Sequence, residues 1–308
     1  MIDIQNLTKV FGGKAVLKDV SFSVGRGSVF GYLGPNGAGK TTTMRIILGL
    51  LRPASGTALV NGRYLGDHDE ARKNVGVLLD QDGLYERITA YDNLDYFARL
   101  YNVKDSGNRI DNLLQFTGLN DNRFEKVGTF SRGMKRKLGL ARAILHSPEV
   151  LFLDEPSAGL DPEAQLMVRE LIINLSSQEK ITIFLNSHDL DEVQRICSSI
   201  AILKDGEIKA CGAMSDLMSM ASGQTIDIVL SNSADREHAC TLLSTLDYVT
   251  DCSQSKQGVT LVIRAGTAPS QLLNYLASKS IGVEEIKKIS RSLEDLYLDT
   301  VHMEGRDE

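Results

Sequence analysis

Gly34-Pro35-Asn36-Gly37-Ala38-Gly39-Lys40-Thr41 decides the reading of this chain, because it fits the pattern G-x-x-x-x-G-K-[ST] at all four fixed positions. A triphosphate carries closely spaced negative charges that many donors must cradle together, and glycines let successive backbone N–H groups turn inward. In this pattern Lys40 reaches the β- and γ-phosphates as a point charge and Thr41 offers its hydroxyl to Mg²⁺. The helix that opens there, with Thr42 in its first turn, adds the positive end of its dipole. The flanks come in the order that the motif requires. Ser28-Val29-Phe30-Gly31-Tyr32-Leu33 has strand composition, and the run from Thr42 to Leu50 has the spacing of an amphipathic helix. The expectation is a strand, loop and helix that bind a nucleoside triphosphate.

The composition narrows what surrounds that loop. With 308 residues, 42% hydrophobic and 24% charged, the chain can form one large domain and a smaller one. A formal net charge of -6 provides no broad basic surface, so nucleic acid is not expected as the main partner. Cys197, Cys211, Cys240 and Cys252 show no C-x-x-C spacing and are too few for a disulfide framework, which fits reduced thiols in a cytosolic compartment. Met1 leads directly into the strand-like Ile2-Asp3-Ile4 without a basic, apolar leader, and no run of about 18 apolar residues occurs. The expectation is a chain that neither crosses a membrane nor leaves the cell by a signal peptide.

Strand-like runs at 14 to 19, 28 to 33, 75 to 79, 150 to 153, 181 to 186 and 199 to 203 alternate with helical patterns. That alternation argues an α/β sheet with much parallel pairing. Helical patterns at 89 to 101, 106 to 117 and 132 to 146 predict a helical insertion over about 85–148. After residue 222 the units shorten to three strands (225 to 230, 258 to 264, 281 to 288) and three helices (234 to 245, 268 to 279, 292 to 301). The expected organisation is a nucleotide-binding domain over 1–222 and a small α+β accessory domain over 223–308.

A second chemical motif lies after the insertion. Val150-Leu151-Phe152-Leu153-Asp154-Glu155 is an apolar strand that ends in two carboxylates, the Walker B pattern. Asp154 is then placed to hold Mg²⁺, directly or through water, and Glu155 to orient or deprotonate the attacking water. The expectation extends from binding to hydrolysis. His188 follows the strand 181 to 186 and can reach the γ-phosphate or the water from the end of a neighbouring strand, although a histidine there is also an ordinary cap or surface residue.

With these residues in place, the chain resembles the ATP-binding subunits of ABC transporters over residues 1 to 215. The resemblance implies the family's P-loop NTPase fold, with a mixed sheet core and a helical subdomain. Phe11 stands where the family places an aromatic that stacks on adenine, with Val16 in the segment that follows. Phe130-Ser131-Arg132-Gly133-Met134-Lys135-Arg136 looks like the signature sequence, where Arg132 and Met134-Lys135 depart from the usual second glycine and glutamine. The family implies that Ser131, Arg132, Gly133 and Met134 close over the ATP of another subunit. Ser157-Ala158-Gly159-Leu160-Asp161-Pro162 matches the segment that crosses the dimer interface, and His188 matches the switch histidine. The glutamine loop falls at 77 to 85, where either Asp80 or Gln81 occupies the key position and supplies an oxygen to Mg²⁺ or its water. Ser292-Leu293-Glu294-Asp295-Leu296-Tyr297-Leu298 resembles the closing motif of exporter subunits of the drug- and antibiotic-resistance kind, and is also a capping box.

The resemblance implies an ATPase that takes ATP and Mg²⁺ and works as a homodimer, or as a heterodimer with a related subunit. It would drive a separate membrane permease from the cytoplasmic face of the cell membrane. The competing expectation is a non-transport ATPase of the same superfamily acting on ribosomes or DNA, against which the single cassette and acidic charge argue.

Overall fold

The computed structural model describes residues 1–67, 69–79, 82–220, 224–264, 267–289 and 292–302. By compactness the chain divides into two units, Met1–Met214 joined by the chain end from Thr300, and Ser215–Asp299. The boundary expected at 222/223 lies outside the described residues.

The first unit runs β1 (Ile2–Phe11), β2 (Lys14–Val24), β3 (Val29–Leu33), α1 (Lys40–Ile47), β4 (Ser55–Val60), α2 (Asp69–Arg72) and β5 (Val75–Leu78). It continues through α3 (Ala90–Leu100), α4 (Ser106–Phe116), α5 (Arg132–Ile144), β6 (Val150–Asp154), α6 (Pro162–Ser177), β7 (Thr182–Asn186), α7 (Leu190–Ile196), β8 (Ser199–Lys204) and β9 (Glu207–Ala213). Side-chain acceptors cap four of these helices by taking the third N–H: Thr89 on α3, Ser131 on α5, Asp161 on α6 and Asp189 on α7.

The main sheet has the order β5-β6-β7-β3-β8-β9, parallel except for the last pair. Its central strands β3, β6 and β7 are buried at every position, as their unbroken apolar runs predict for strands covered on both faces. A second, antiparallel sheet, β2-β1-β4, packs against it. Sequence periodicity gave no hint of this sheet as a separate layer. The two sheets share one core in which Phe22 of β2 stacks on Phe30 of β3 at a centroid distance of 5.2 Å, with Tyr32, Phe152 and Phe184 closing the aromatic cluster. Met44, Ile46 and Ile47 fix α1 in the same core, so the helix that follows the phosphate loop cannot drift.

The second unit is built from β10 (Gln224–Leu230), α9 (Arg236–Leu243), β11 (Val249–Gln254), β12 (Gly258–Ile263), α10 (Pro269–Ser278) and β13 (Val283–Ile289), with most of α8 (Met214–Met220) and of α11 (Leu293–His302), which run across the division. Its sheet is wholly antiparallel, in the order β11-β12-β10-β13. Ile226, Ile228, Val259, Leu261 and Ile263 of the sheet pack on Ala239 and Leu243 of α9 and on Leu272 and Leu276 of α10. β11 was not expected from the sequence, because Val249-Thr250-Asp251-Cys252-Ser253-Gln254 has too few apolar residues to announce a strand.

Candidate functional site

The parallel register brings the carboxyl ends of three neighbouring strands to one level: Asp154 of β6 lies opposite Asn186 of β7, and Asn186 opposite Tyr32 of β3. Open α/β sheets bind ligands at such strand ends. Here the strand ends border a cavity of about 640 Å³ lined by Val16, Asn36, Gly37, Gly39, Lys40, Thr41, Thr42, Asp154 and Glu155, and also by Arg45, Leu79, Gly83 and Asn186.

The loop from Gly34 to Gly39 owes its path to glycine. Gly39 caps α1 at φ 113°, a left-handed conformation, and a Cβ there would come within 2.6 Å of Leu17 Cδ2. Lys40 is buried, and its Nζ donates to Gly34 O at 2.7 Å and Pro35 O at 3.2 Å, so the ammonium gathers the loop around itself. Burial lowers its pKa below the ordinary lysine value, while the charges of Glu155 and Asp154 act the other way. Behind the loop, Thr43 Oγ1 donates to Gly39 O and bonds the Tyr32 hydroxyl at 3.1 Å, which ties α1 to β3.

Asp154 is buried and accepts a hydrogen bond from the Asn186 side-chain amide. Glu155 sits in the left-handed region at φ 52°, and its N–H donates to Asn186 O at 2.8 Å. That turn aims the carboxylate away from the strand axis, where Oε2 meets His188 Nδ1 at 2.7 Å. Two residues far apart in sequence, both expected to serve the water, are therefore paired.

Arg136, the last residue of the signature stretch and given no site role there, holds this corner. Its Nη1 donates to Leu79 O at 2.6 Å and to Asp82 Oδ1 at 2.9 Å, and its Nη2 donates to Asp154 O and to Glu155 O. One buried guanidinium on α5 thus binds both the segment after β5 and the carboxylate-bearing end of β6. Glu192 works similarly on the other side. It is buried and accepts from Ser157 Oγ and, at 3.3 Å, from Ser187 Oγ, and burial raises its carboxyl above the ordinary value.

Thr41 and Asp154 are an alcohol and a carboxylate facing one cavity, and Asn186 Oδ1 is a buried oxygen with no hydrogen-bond partner. Among the described residues there is no cluster of three or more His, Cys, Asp or Glu that could hold a metal alone. This donor set fits Mg²⁺, which binds through one or two carboxylates together with substrate phosphates. Asp80 and Gln81 lie outside the described residues.

The remaining expected site residues lie off the cavity wall. Phe11 ends β1 as a 47% exposed residue, with Lys9 Nζ at 4.9 Å from its ring centre. Ser131, Arg132, Gly133 and Met134 form the first turn of α5, where Ser131 Oγ accepts from Met134 N–H at 3.2 Å. Asn186, Arg136, Asp82 and Glu192 were not expected; the available signal for Asn186 was its place at the polar end of an apolar strand, as for Asp154.

The family model described as ABC transporter matches residues 17–158. An ABC transporter ATP-binding protein of Bacillus subtilis, YhcH, is 33% identical over 97% of this chain and 95% of its own length. The linearmycin resistance ATP-binding protein LnrL of the same organism is 32% identical over the full length of both chains, and the bacitracin transport ATP-binding protein BcrA of Bacillus licheniformis is 32% identical over 97% of this chain and 96% of its own. Among solved structures, an ATP-binding subunit of an ABC transporter aligns with a TM-score of 0.67 at 32% identity, covering 71% of this chain and 92% of that one. The dimeric post-hydrolysis state of the ATP-binding cassette MJ0796, bound to ADP and Pi, aligns with a TM-score of 0.64 at 25% identity, covering 70% of this chain and 99% of that one.

Proposed function

This chain belongs to the family of ABC transporter ATP-binding proteins and is an ATPase of that family, and we propose that two cassettes close over ATP·Mg²⁺ to power a separate membrane permease. The observation that carries the proposal is the division of the site. Lys40, Thr41, Asp154 and Glu155 line one cavity, whereas Ser131 to Met134 crown α5 outside it. A signature that does not line its own chain's cavity serves the cavity of a second copy or of a related subunit. Ser131 Oγ, already accepting from Met134 N–H, keeps its O–H free to donate to a γ-phosphate across that interface.

Within each cavity the loop N–H groups from Gly34 to Thr42 and the Lys40 ammonium take the phosphates. Phe11 stacks on adenine beside Val16. Thr41, Asp154 and either Asp80 or Gln81 would hold Mg²⁺, and the bound ion would supply positive charge against the phosphates. Glu155 accepts the proton of the attacking water, and His188 fixes the orientation of that carboxylate.

No described helix is long and apolar enough to cross a membrane, and in this reading a separate permease supplies the span. An apolar groove lined by Tyr85, Glu86, Arg87, Ile88 and Tyr96 begins two residues after Gly83, which lines the nucleotide cavity. It offers the permease a seat next to the ATP site at the inner face of the membrane. The relatives named for bacitracin transport and linearmycin resistance support export as the direction. The second unit is an accessory domain of this motor.

The test is Glu155→Gln. The variant keeps ATP affinity, loses about 10²- to 10⁴-fold in turnover, and elutes as a dimer when ATP is present. Hydrolysis at the wild-type rate overturns the assignment of the base, and an ATP-bound monomer overturns closure between two cassettes.

A further inference from the structure

The second unit contains a pair of thiols that ATP hydrolysis does not use. Cys240 lies on α9 and Cys252 on β11, an edge strand of the four-stranded sheet. Both are half-buried against the core formed by Ile226, Ala239, Leu243 and Leu261. Their sulfurs stand 2.7 Å apart, and both thiols are free. That is about 0.7 Å beyond the bonded distance of about 2.04 Å.

The surroundings hold the pair in register. Leu243 anchors α9 on the sheet, Ser244 Oγ donates to Cys240 O at 2.8 Å, and Cys252 is paired with Leu261 of β12. The connection from helix to strand is tight, with Thr245 N–H donating to Leu242 O and Val249 N–H to Leu246 O. The sulfurs therefore meet across a packed helix–sheet interface and not through a mobile loop.

We propose that Cys240 and Cys252 are a thiol modification site that closes to an intramolecular disulfide on exchange with a low-molecular-weight disulfide, and that reopens with excess thiol. Cys252 is pushed up to about 12, chiefly by burial, so it is a poor first attacker. The Cys240 thiolate opens the exchange by attacking one sulfur of the small disulfide, forming a mixed disulfide and expelling one small thiolate. The Cys252 thiolate then attacks the Cys240 sulfur, forming the Cys240–Cys252 bond and expelling the second small thiolate. The two protons lost by the protein thiols go to the two expelled thiolates. The protein is oxidised by two electrons, and the small disulfide is reduced to two thiols. Intracellular disulfides that form and reopen in this way are redox-responsive and not structural. The bond would staple the edge strand β11 to α9.

The sequence makes the test direct, because no Lys or Arg lies between Arg236 and Lys256, so both cysteines fall on one tryptic peptide, 237–256. The full chain is incubated with oxidised glutathione, alkylated in denaturant and digested. The expected peptide resists alkylation, is lighter by two hydrogens, and returns to two alkylated cysteines after dithiothreitol. Cys252→Ser is expected to stop the exchange halfway, leaving glutathione on Cys240. In the oxidised wild type, amide exchange in α9 and β11 is expected to slow by about tenfold or more. Two alkylated cysteines after oxidation, or a lasting glutathione adduct on the wild-type peptide without the internal link, overturns the proposal.

Discussion

Replacing Arg136 with alanine removes a side chain that joins α5 to both the segment after β5 and the end of β6. Its guanidinium is buried and makes four hydrogen bonds, to Leu79 O, Asp82 Oδ1, Asp154 O and Glu155 O. Hydrogen bonds from a charged donor contribute about 1.5–3 kcal/mol each, so a naive sum exceeds 6 kcal/mol. Three effects reduce it. The arginine loses hydration on folding, its side chain loses about 2 kcal/mol of rotamer entropy, and the Asp82 side chain remains 19% exposed, so water can reach it once the arginine is gone. Breaking a buried pair by removing one partner costs about 3–5 kcal/mol, and the partial access of Asp82 places this site near 3. For a unit of this size about 3 kcal/mol lowers the melting temperature by roughly 6–12 °C. Turnover should fall as well, by about 10- to 100-fold, since the carbonyls of Asp154 and Glu155 lose the group that positions them. Differential scanning calorimetry without nucleotide gives the first quantity, and ATPase assays well below the variant's melting temperature give the second. Arg136→Lys keeps the charge but cannot span the four acceptors, and should recover only part of both losses. A melting temperature within about 2 °C of wild type would refute the reasoning, because it would mean that the hydrogen bonds only balance the cost of burying the charge.

Two further predictions concern neighbouring parts of the site. Burial raises the Glu192 pKa, so the folded state favours its protonated form: its contribution to stability is fully present below the ordinary carboxylate value and is lost as pH rises through the raised value. Urea midpoints of wild type minus Glu192→Gln, measured from about pH 4 to pH 8, should therefore decline with pH, and a rising difference contradicts the assigned sign. Phe11→Ala should weaken ATP binding by about three- to tenfold through the lost stacking, and leave inorganic triphosphate binding unchanged. Equal losses for both ligands would remove Phe11 from the adenine site.

How much of this was legible in the sequence follows from how local each feature is. The phosphate loop could be read because its eight residues are consecutive and the chemistry needs particular types at its four fixed positions. Asp154 and Glu155 could be read because they end an apolar run, and the structure gives them the strand tip that this placement implies. Asn186 also ends an apolar run, but its meaning depends on β7 pairing with β6, and only the register that sets it opposite Asp154 reveals it. Arg136 was harder still. In sequence it is one of several basic residues on α5, and no periodicity separates it from Lys135, which pairs with Glu86 at the surface, or Lys137. What distinguishes it is burial beside four acceptors contributed by Leu79, Asp82, Asp154 and Glu155, a property of packed elements and not of any window of residues. The same holds for β11, a polar strand whose backbone groups are satisfied by its partner. The β2-β1-β4 sheet differs, since buried Val20, Phe22 and Val24 alternate with exposed Ser21 and Ser23, and only the pairing that makes it a separate layer was hidden. The Cys240–Cys252 contact is the extreme case, since spacing alone argued for unrelated thiols while the helix-to-strand turn folds the two sulfurs together.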